Sequence, residues 1–194
     1  MKLLKTALPL IFAVVAAVGC ASDKGVWKEA WDWEGFDFIT PVHACDDFLG
    51  LKVAPENRCS EYKRSQYHYP ASIEHRIVER QGGRIWSPYT DREFDSIKET
   101  DIEHIVAAAE AHDSGLCARP AEDRKKFARD LENLTLASPR VNRWQKSDKD
   151  AAEWLPDHHR CWYVRTIVQV KRKWELSVDQ AEADALRAVL EGCD

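Results

Sequence analysis

Apolar residues recur at helical spacing most plainly near the C-terminus. Tyr163, Ile167, Val170 and Trp174 predict one helix, and Val178, Ala185, Leu186, Val189 and Leu190 predict a second, stopped at Gly192. Between them, Ser177-Val178-Asp179-Gln180 reads as a capping box with Ser177 as the cap, and Leu176 and Ala181 as a hydrophobic staple. The aromatic stripe of these helices is expected to be core rather than a cofactor site. Further upstream, Ile97 to Val106 predicts a strand whose apolar members are Ile97, Ile102 and Ile105. Ala107 to His112 predicts a short helix closed at Ser114-Gly115, and Leu134 to Leu136 a short strand. Pro120 to Leu131 predicts a longer helix, with proline in its first turn. Ser138-Pro139 opens another helix, serine as cap, carrying Val141, Asn142 and Lys146. Ile73 to Arg80 reads as a short helix or strand ended by Gln81-Gly82-Gly83.

The N-terminal pattern differs. Lys2 and Lys5 precede an apolar run from Leu8 to Val18, broken by Pro9. That run is too short to span a bilayer of roughly 30 Å, so residues 1–19 are expected to be a signal for export. Ala17-Val18-Gly19-Cys20 resembles a bacterial lipobox, which implies a lipid anchor on Cys20; ordinary cleavage after Ala21 is the alternative. Residues 20–84 are expected to form an irregular, disulfide-tied segment, with Trp27 and Trp31 four apart and Pro41, Pro55 and Pro70 as breakers. Residues 85–194 are expected to form the folded domain that follows.

Export permits disulfides. Beyond Cys20 stand Cys45, Cys59, Cys117, Cys161 and Cys193. Nearness in sequence suggests Cys45 with Cys59 and Cys161 with Cys193, leaving Cys117 over, although spacing alone does not decide connectivity. No two cysteines sit at zinc-ligand spacing.

A formal charge of −5 is a poor footprint for a protein that binds a polyanion. The charge is uneven, however: Arg119 to Lys149 holds nine Lys or Arg against five Asp or Glu. That stretch can form a local basic face, though helical charge runs are commonly just solvated.

Three polar features fall in order: Asp101-Ile102-Glu103-His104, then Asn133, then Asn142 nine residues further on. Along a strand, Glu103 and His104 point to opposite faces, so the pair is expected at a strand end. Each has a bland rival, Glu103 as a solvated charge and His104 as a hydrogen-bonded structural residue. Asp-Ile-Glu-His-Ile-Val, Leu-Glu-Asn-Leu-Thr-Leu and Asn-Arg-Trp-Gln-Lys-Ser-Asp together resemble the HNH endonuclease signature. The likeness is strongest to the secreted branch related to GmrSD-type nucleases, in four stretches: Glu103–Val106, Ala109–Gly115, Asn133-Leu134 and Lys146–Pro156. It covers roughly residues 85 to 193.

The resemblance implies an α+β fold, a ββα-metal (HNH) core wrapped by helices. It implies His104 as the general base, whose imidazole suits proton abstraction near neutral pH. Glu103 and the Asn142 carbonyl are hard oxygen ligands for one divalent metal, Mg²⁺ first, with Mn²⁺ or Ca²⁺ as alternatives. Asn133 matches the middle residue, which holds the loop and orients the histidine. Arg143 and Lys146 are candidate phosphate grips. Asp101 is expected as a strand-edge charge rather than a support for the ligands, His112 as a packing residue, and His158-His159 as loop. The implied activity is low-specificity hydrolysis of DNA, with RNA as an alternative, by a monomer with one active site, since no base-reading module is present. Rival readings are a lipid-anchored envelope protein with a degenerate HNH site and an effector delivered to competitors.

Overall fold

The computed structural model describes residues 47–193. The leader, Cys20, Cys45 and the tryptophan-bearing stretch after residue 22 lie outside the described residues. What is described is mixed α+β, with three two-stranded antiparallel sheets. Sheet one pairs β1 (Asp47–Phe48) with β2 (Leu51–Lys52), across a tight turn with Leu49 and Gly50 at φ 53° and 78°. Two successive positive φ values suit a two-residue hairpin, and glycine takes the second without a Cβ penalty. Sheet two pairs β3 (Trp86–Ser87) with β4 (Arg92–Glu93).

Sheet three carries the Glu103-His104 pair. β5 (Asp101–His104) pairs with β6 (Leu134–Ala137), with Glu103 opposite Thr135 and His104 opposite Leu134. β5 is shorter than the expected strand because Ser96 caps a 3₁₀ turn at Ile97–Glu99. After β5, the chain enters α2 (Ala108–Asp113), a 3₁₀ turn at Leu116–Ala118, and α3 (Ala121–Phe127). α3 ends before Leu131, which starts a separate 3₁₀ turn capped by Asp130.

Residues 48–67 share the core of the C-terminal helices: Phe48, Leu51 and Tyr67 are buried with Phe127, Tyr163, Ile167 and Leu186. Cys59 is bonded to Cys117, not to the neighbouring Cys45, so this segment is pinned to the far end of α2 rather than looped on itself. Closing a loop of 58 residues restricts the unfolded chain by about 4 kcal/mol. Cys161–Cys193 forms as expected and joins α4 (Arg160–Lys173) to the chain just past α5 (Gln180–Leu190). α1 (Ile73–Arg80) resolves the ambiguous segment as helix and packs Ile73 and Ile77 against Leu134 and Leu136 of β6.

The cap of α5 is Asp179, whose Oδ1 accepts from Glu182 N at 2.7 Å. Ser177 is not available for that role. Val178 is extended, donating to Lys52 O and accepting from Ala54 N, which bridges the N-terminal strand to the C-terminal helices. Beneath this bridge Lys171 is fully buried, with its ammonium on Glu110 (2.7 Å), Glu182 and the Ser177 carbonyl (3.1 Å). Among the described residues no helix is long and apolar enough to cross a membrane.

Candidate active site

β5 ends at His104, so the Glu103-His104 pair stands where a strand gives way to a loop. Phe127 lies nearly parallel to the imidazole, ring centres 6.1 Å apart, and Tyr69 lies at 5.5 Å. His104 Nε2 is 3.1 Å from the Ala128 carbonyl oxygen. A carbonyl only accepts, so Nε2 carries the proton and Nδ1 keeps its lone pair. Burial holds the imidazole down to about 4; the Ala128 carbonyl opposes this, while Lys146 and Arg64 add to it. His104 is therefore neutral, and basic at Nδ1, throughout the physiological range.

Glu103 is 4% exposed, and the fully buried Lys146 ammonium sits 2.9 Å from its Oε1. The same ammonium donates to the His104 carbonyl at 3.0 Å. Lys146 thus braces the end of β5 through both Glu103 and the His104 backbone. It is buried away from the cleft, where a phosphate grip would have to reach. Burial pushes the Glu103 carboxyl up, and Lys146 pulls it back. The ammonium is close to Oε1 without hydrogen-bond alignment, so that oxygen has charge compensation but no donor.

Asn133 is fully buried and grips the chain just past the histidine. Its Oδ1 accepts from Val106 N at 2.7 Å, its Nδ2 donates to Val106 O at 3.0 Å, and its carbonyl accepts from Ile105 N. The side chain acts as a short strand, fixing the direction in which β5 releases His104.

The helix opened by Ser138-Pro139 becomes a π-helix over Val141–Lys146, ended by Ser147 at φ 53°. Ser138 Oγ accepts from Val141 N, as a cap should. The wider turn buries both Val141 and Lys146 and leaves Arg143, Trp144 and Gln145 exposed between them. Asn142 Nδ2 donates to Asp101 Oδ2 at 3.1 Å, and Arg143 makes a two-pronged ion pair with the same carboxylate, 2.7 Å on each prong. Asp101 is therefore more than a strand-edge charge. It orients Asn142 so that the amide oxygen, with no partner seen among the described residues, is left as the free acceptor.

Asp101, Glu103, His104, Asn142 and Arg143 all line one cleft of about 1120 Å³. Residues of the 62–74 segment, among them Arg64 and Tyr69, also line it. His112 is fully buried and bonded to Tyr67 Oη and Ser60 O, a packing role. His159 precedes α4 at φ 53° and contacts Asp91, and His158 is in the loop before it. A separate carboxylate group, Glu56, Asp150 and Asp179, brings its oxygens within 4.8 Å of one another. Asp179 caps α5 and Asp150 caps the turn at Ala152 and Glu153, which accounts for both in structural terms.

The model of the family described as GmrSD restriction endonucleases, C-terminal domain, matches residues 54–189. The chain belongs to this family. Membership in the GmrSD C-terminal family makes it a nuclease-related domain of hydrolase type, with nucleic acid as the substrate class and a divalent metal as the usual cofactor. The family match begins at residue 54, within the segment expected to precede the catalytic domain, in keeping with the shared core. An uncharacterized secreted protein of Arthroderma benhamiae is similar, 28% identical over 167 residues that span 74% of this chain and 81% of that protein. No solved structure matches.

Two contributors to the site were not among the expected residues. Asp101 was visible as a carboxylate two residues before Glu103, but its link to Asn142 needs the β5-to-π-helix contact. Arg64 gave no local signal, because only the fold brings its segment to the cleft.

Proposed function

We propose that this chain is an exported, metal-dependent endonuclease with a ββα-metal (HNH) centre, hydrolysing phosphodiester bonds of DNA, with RNA as an alternative substrate. The observation that carries this reading is His104: Nε2 is committed to the Ala128 carbonyl, so Nδ1 is the basic nitrogen, in a cleft shared with Glu103 and Asn142. The antiparallel pair β5–β6 supplies the two strands of the centre and the π-helical segment its helix.

His104 Nδ1 takes the proton of a water molecule as that water attacks phosphorus. Its neutral form is already the populated one, so no prior deprotonation is needed. Asn133 and Phe127 keep the ring from turning away, which preserves the alignment of base, water and phosphate. Glu103 and Asn142 would hold the cation. The donor set fits a hard divalent ion: the Glu103 carboxylate, which lines the cleft, and an amide oxygen left free by Asp101. Such an ion, when bound, supplies Lewis-acid stabilisation of the charge on the phosphate and the departing oxygen. Arg143 faces the cleft while held by Asp101, which presents its outer edge to a phosphate at limited gain.

The secreted fungal relative and the two disulfides among the described residues support export; the leader at residues 1–19, the lipid anchor on Cys20 and action as a monomer are proposed from the sequence pattern alone. Incubating purified protein with supercoiled plasmid tests the activity. Nicking with Mg²⁺, Mn²⁺ or Ca²⁺ that stops on chelation is expected. No cleavage with any of the three would defeat the proposal.

A further inference from the structure

We infer that the cleft takes an unpaired nucleic-acid strand, one base stacked on Trp144 and the adjoining phosphate on Arg64; this rests on the nuclease reading above. Trp144 is 80% exposed, the most exposed large hydrophobic side chain among the described residues. An indole left in water forgoes the burial of a large apolar surface. This one is not on a loose tip. The π-helical turn is anchored by buried Val141 and Lys146 on either side, and the Ser147 amide donates to the Asn142 carbonyl. The wall that carries Asn142 and Arg143 thus holds the indole outward at the rim of the cleft.

Arg64, which lines the same cleft, belongs to a 3₁₀ turn, Arg64–Gln66, that follows the Cys59–Cys117 bond. Its side chain is exposed and has no hydrogen bond or ion pair among the described residues. The other cations at the site are spent: Arg143 on Asp101, and Lys146 on Glu103. Glu74, Asp101 and Asp148 also line the cleft, and the whole chain is acidic. A duplex brings two dense phosphate rows and keeps its base faces inside the stack, so it engages one guanidinium and one indole less well than a free strand does. A single strand brings one phosphate at a time and an open base face. One guanidinium and one aromatic platform match that chemistry.

Cleavage of one oligonucleotide as a free strand and in a blunt duplex tests this, with wild type, Trp144→Ala, Trp144→Phe and Arg64→Ala. The free strand should be cut at least about 10-fold faster. Trp144→Ala should lower kcat/KM on it about 10- to 100-fold, and Trp144→Phe should restore most of the loss. Arg64→Ala should weaken binding and flatten its salt dependence. Equal rates on strand and duplex, with Trp144→Ala like wild type, would overturn the inference while leaving the nuclease reading intact. If neither substrate is cut, the nuclease reading fails. Anisotropy of the labelled strand then decides this one: strand-selective binding lost in Trp144→Ala upholds it, and equal binding of strand and duplex overturns it.

Discussion

Among the described residues two lysines are completely buried, and their surroundings differ. Lys171 has two carboxylates, Glu110 and Glu182, with the Ser177 carbonyl and Ser114 hydroxyl completing its shell. Every proton of that ammonium has an acceptor, and the cluster ties α2, α4 and α5 to the extended bridge. Lys146 has one carboxylate and one carbonyl, and the carboxylate oxygen nearest it lacks a hydrogen-bond donor. A saturated buried ion cluster is a fastening. The undersaturated one has its carboxylate, Glu103, on the cleft, and it is there that we propose a cation is held.

Removing the fastening should produce the largest stability change. Lys171→Met strands two buried carboxylates and should cost about 3–5 kcal/mol in urea unfolding. Loss below about 1 kcal/mol would mean that the cluster is not what joins the helices. Asn133→Ala should follow at about 2–3 kcal/mol, because two backbone groups of Val106 lose buried partners. It should also slow cleavage, since His104 is then released in no fixed direction. Lys146→Met should cost less, about 1–2 kcal/mol, because Glu103 can take up a proton instead. Here Mg²⁺ should recover stability, and in Lys171→Met it should not. Equal behaviour of both variants toward Mg²⁺ would erase the distinction between the two lysines.

The smallest expected effect concerns pH. The folded-state value of His104 lies below its unfolded 6.5, so the unfolded chain binds the proton more readily. Its contribution is complete above 6.5 and is lost as pH falls from 6.5 toward 4. Discounted for partial exposure, the loss should be about 1–2 kcal/mol. It reads as the difference between wild type and His104→Gln, unfolded in chelator across that range. Parallel curves for the two proteins would show that the imidazole is not held neutral by burial.

Legibility followed the range of the interactions. The helices α4 and α5 and the pair β5–β6 rest on local periodicity, and they fall where Tyr163 to Trp174, Val178 to Leu190 and the Ile97 and Leu134 segments predicted them. The cap of α5 was misread by two residues because Ser177 and Asp179 are both good caps, and the choice is made by Val178 pairing with a strand over a hundred residues away. Cys59–Cys117 was hidden for the same reason. The π-helix shares the periodic signs of an ordinary helix, so nothing local shows that Lys146 turns inward. At the candidate site, the approach of Glu103, His104 and Asn142 to one cleft was readable as a motif. The backbone clamp by Asn133, the Asp101 brace and the Arg64 wall were contributions of tertiary structure.

The central claim is that His104 is the base of a cation-dependent phosphodiesterase. Purified wild type and His104→Ala, given supercoiled plasmid in Mg²⁺ or Mn²⁺ and in chelator, test it most directly. The account predicts cation-dependent nicking by wild type and a loss of about 100-fold or more in His104→Ala. Equal cleavage by the two proteins, or cleavage indifferent to chelator, would contradict it.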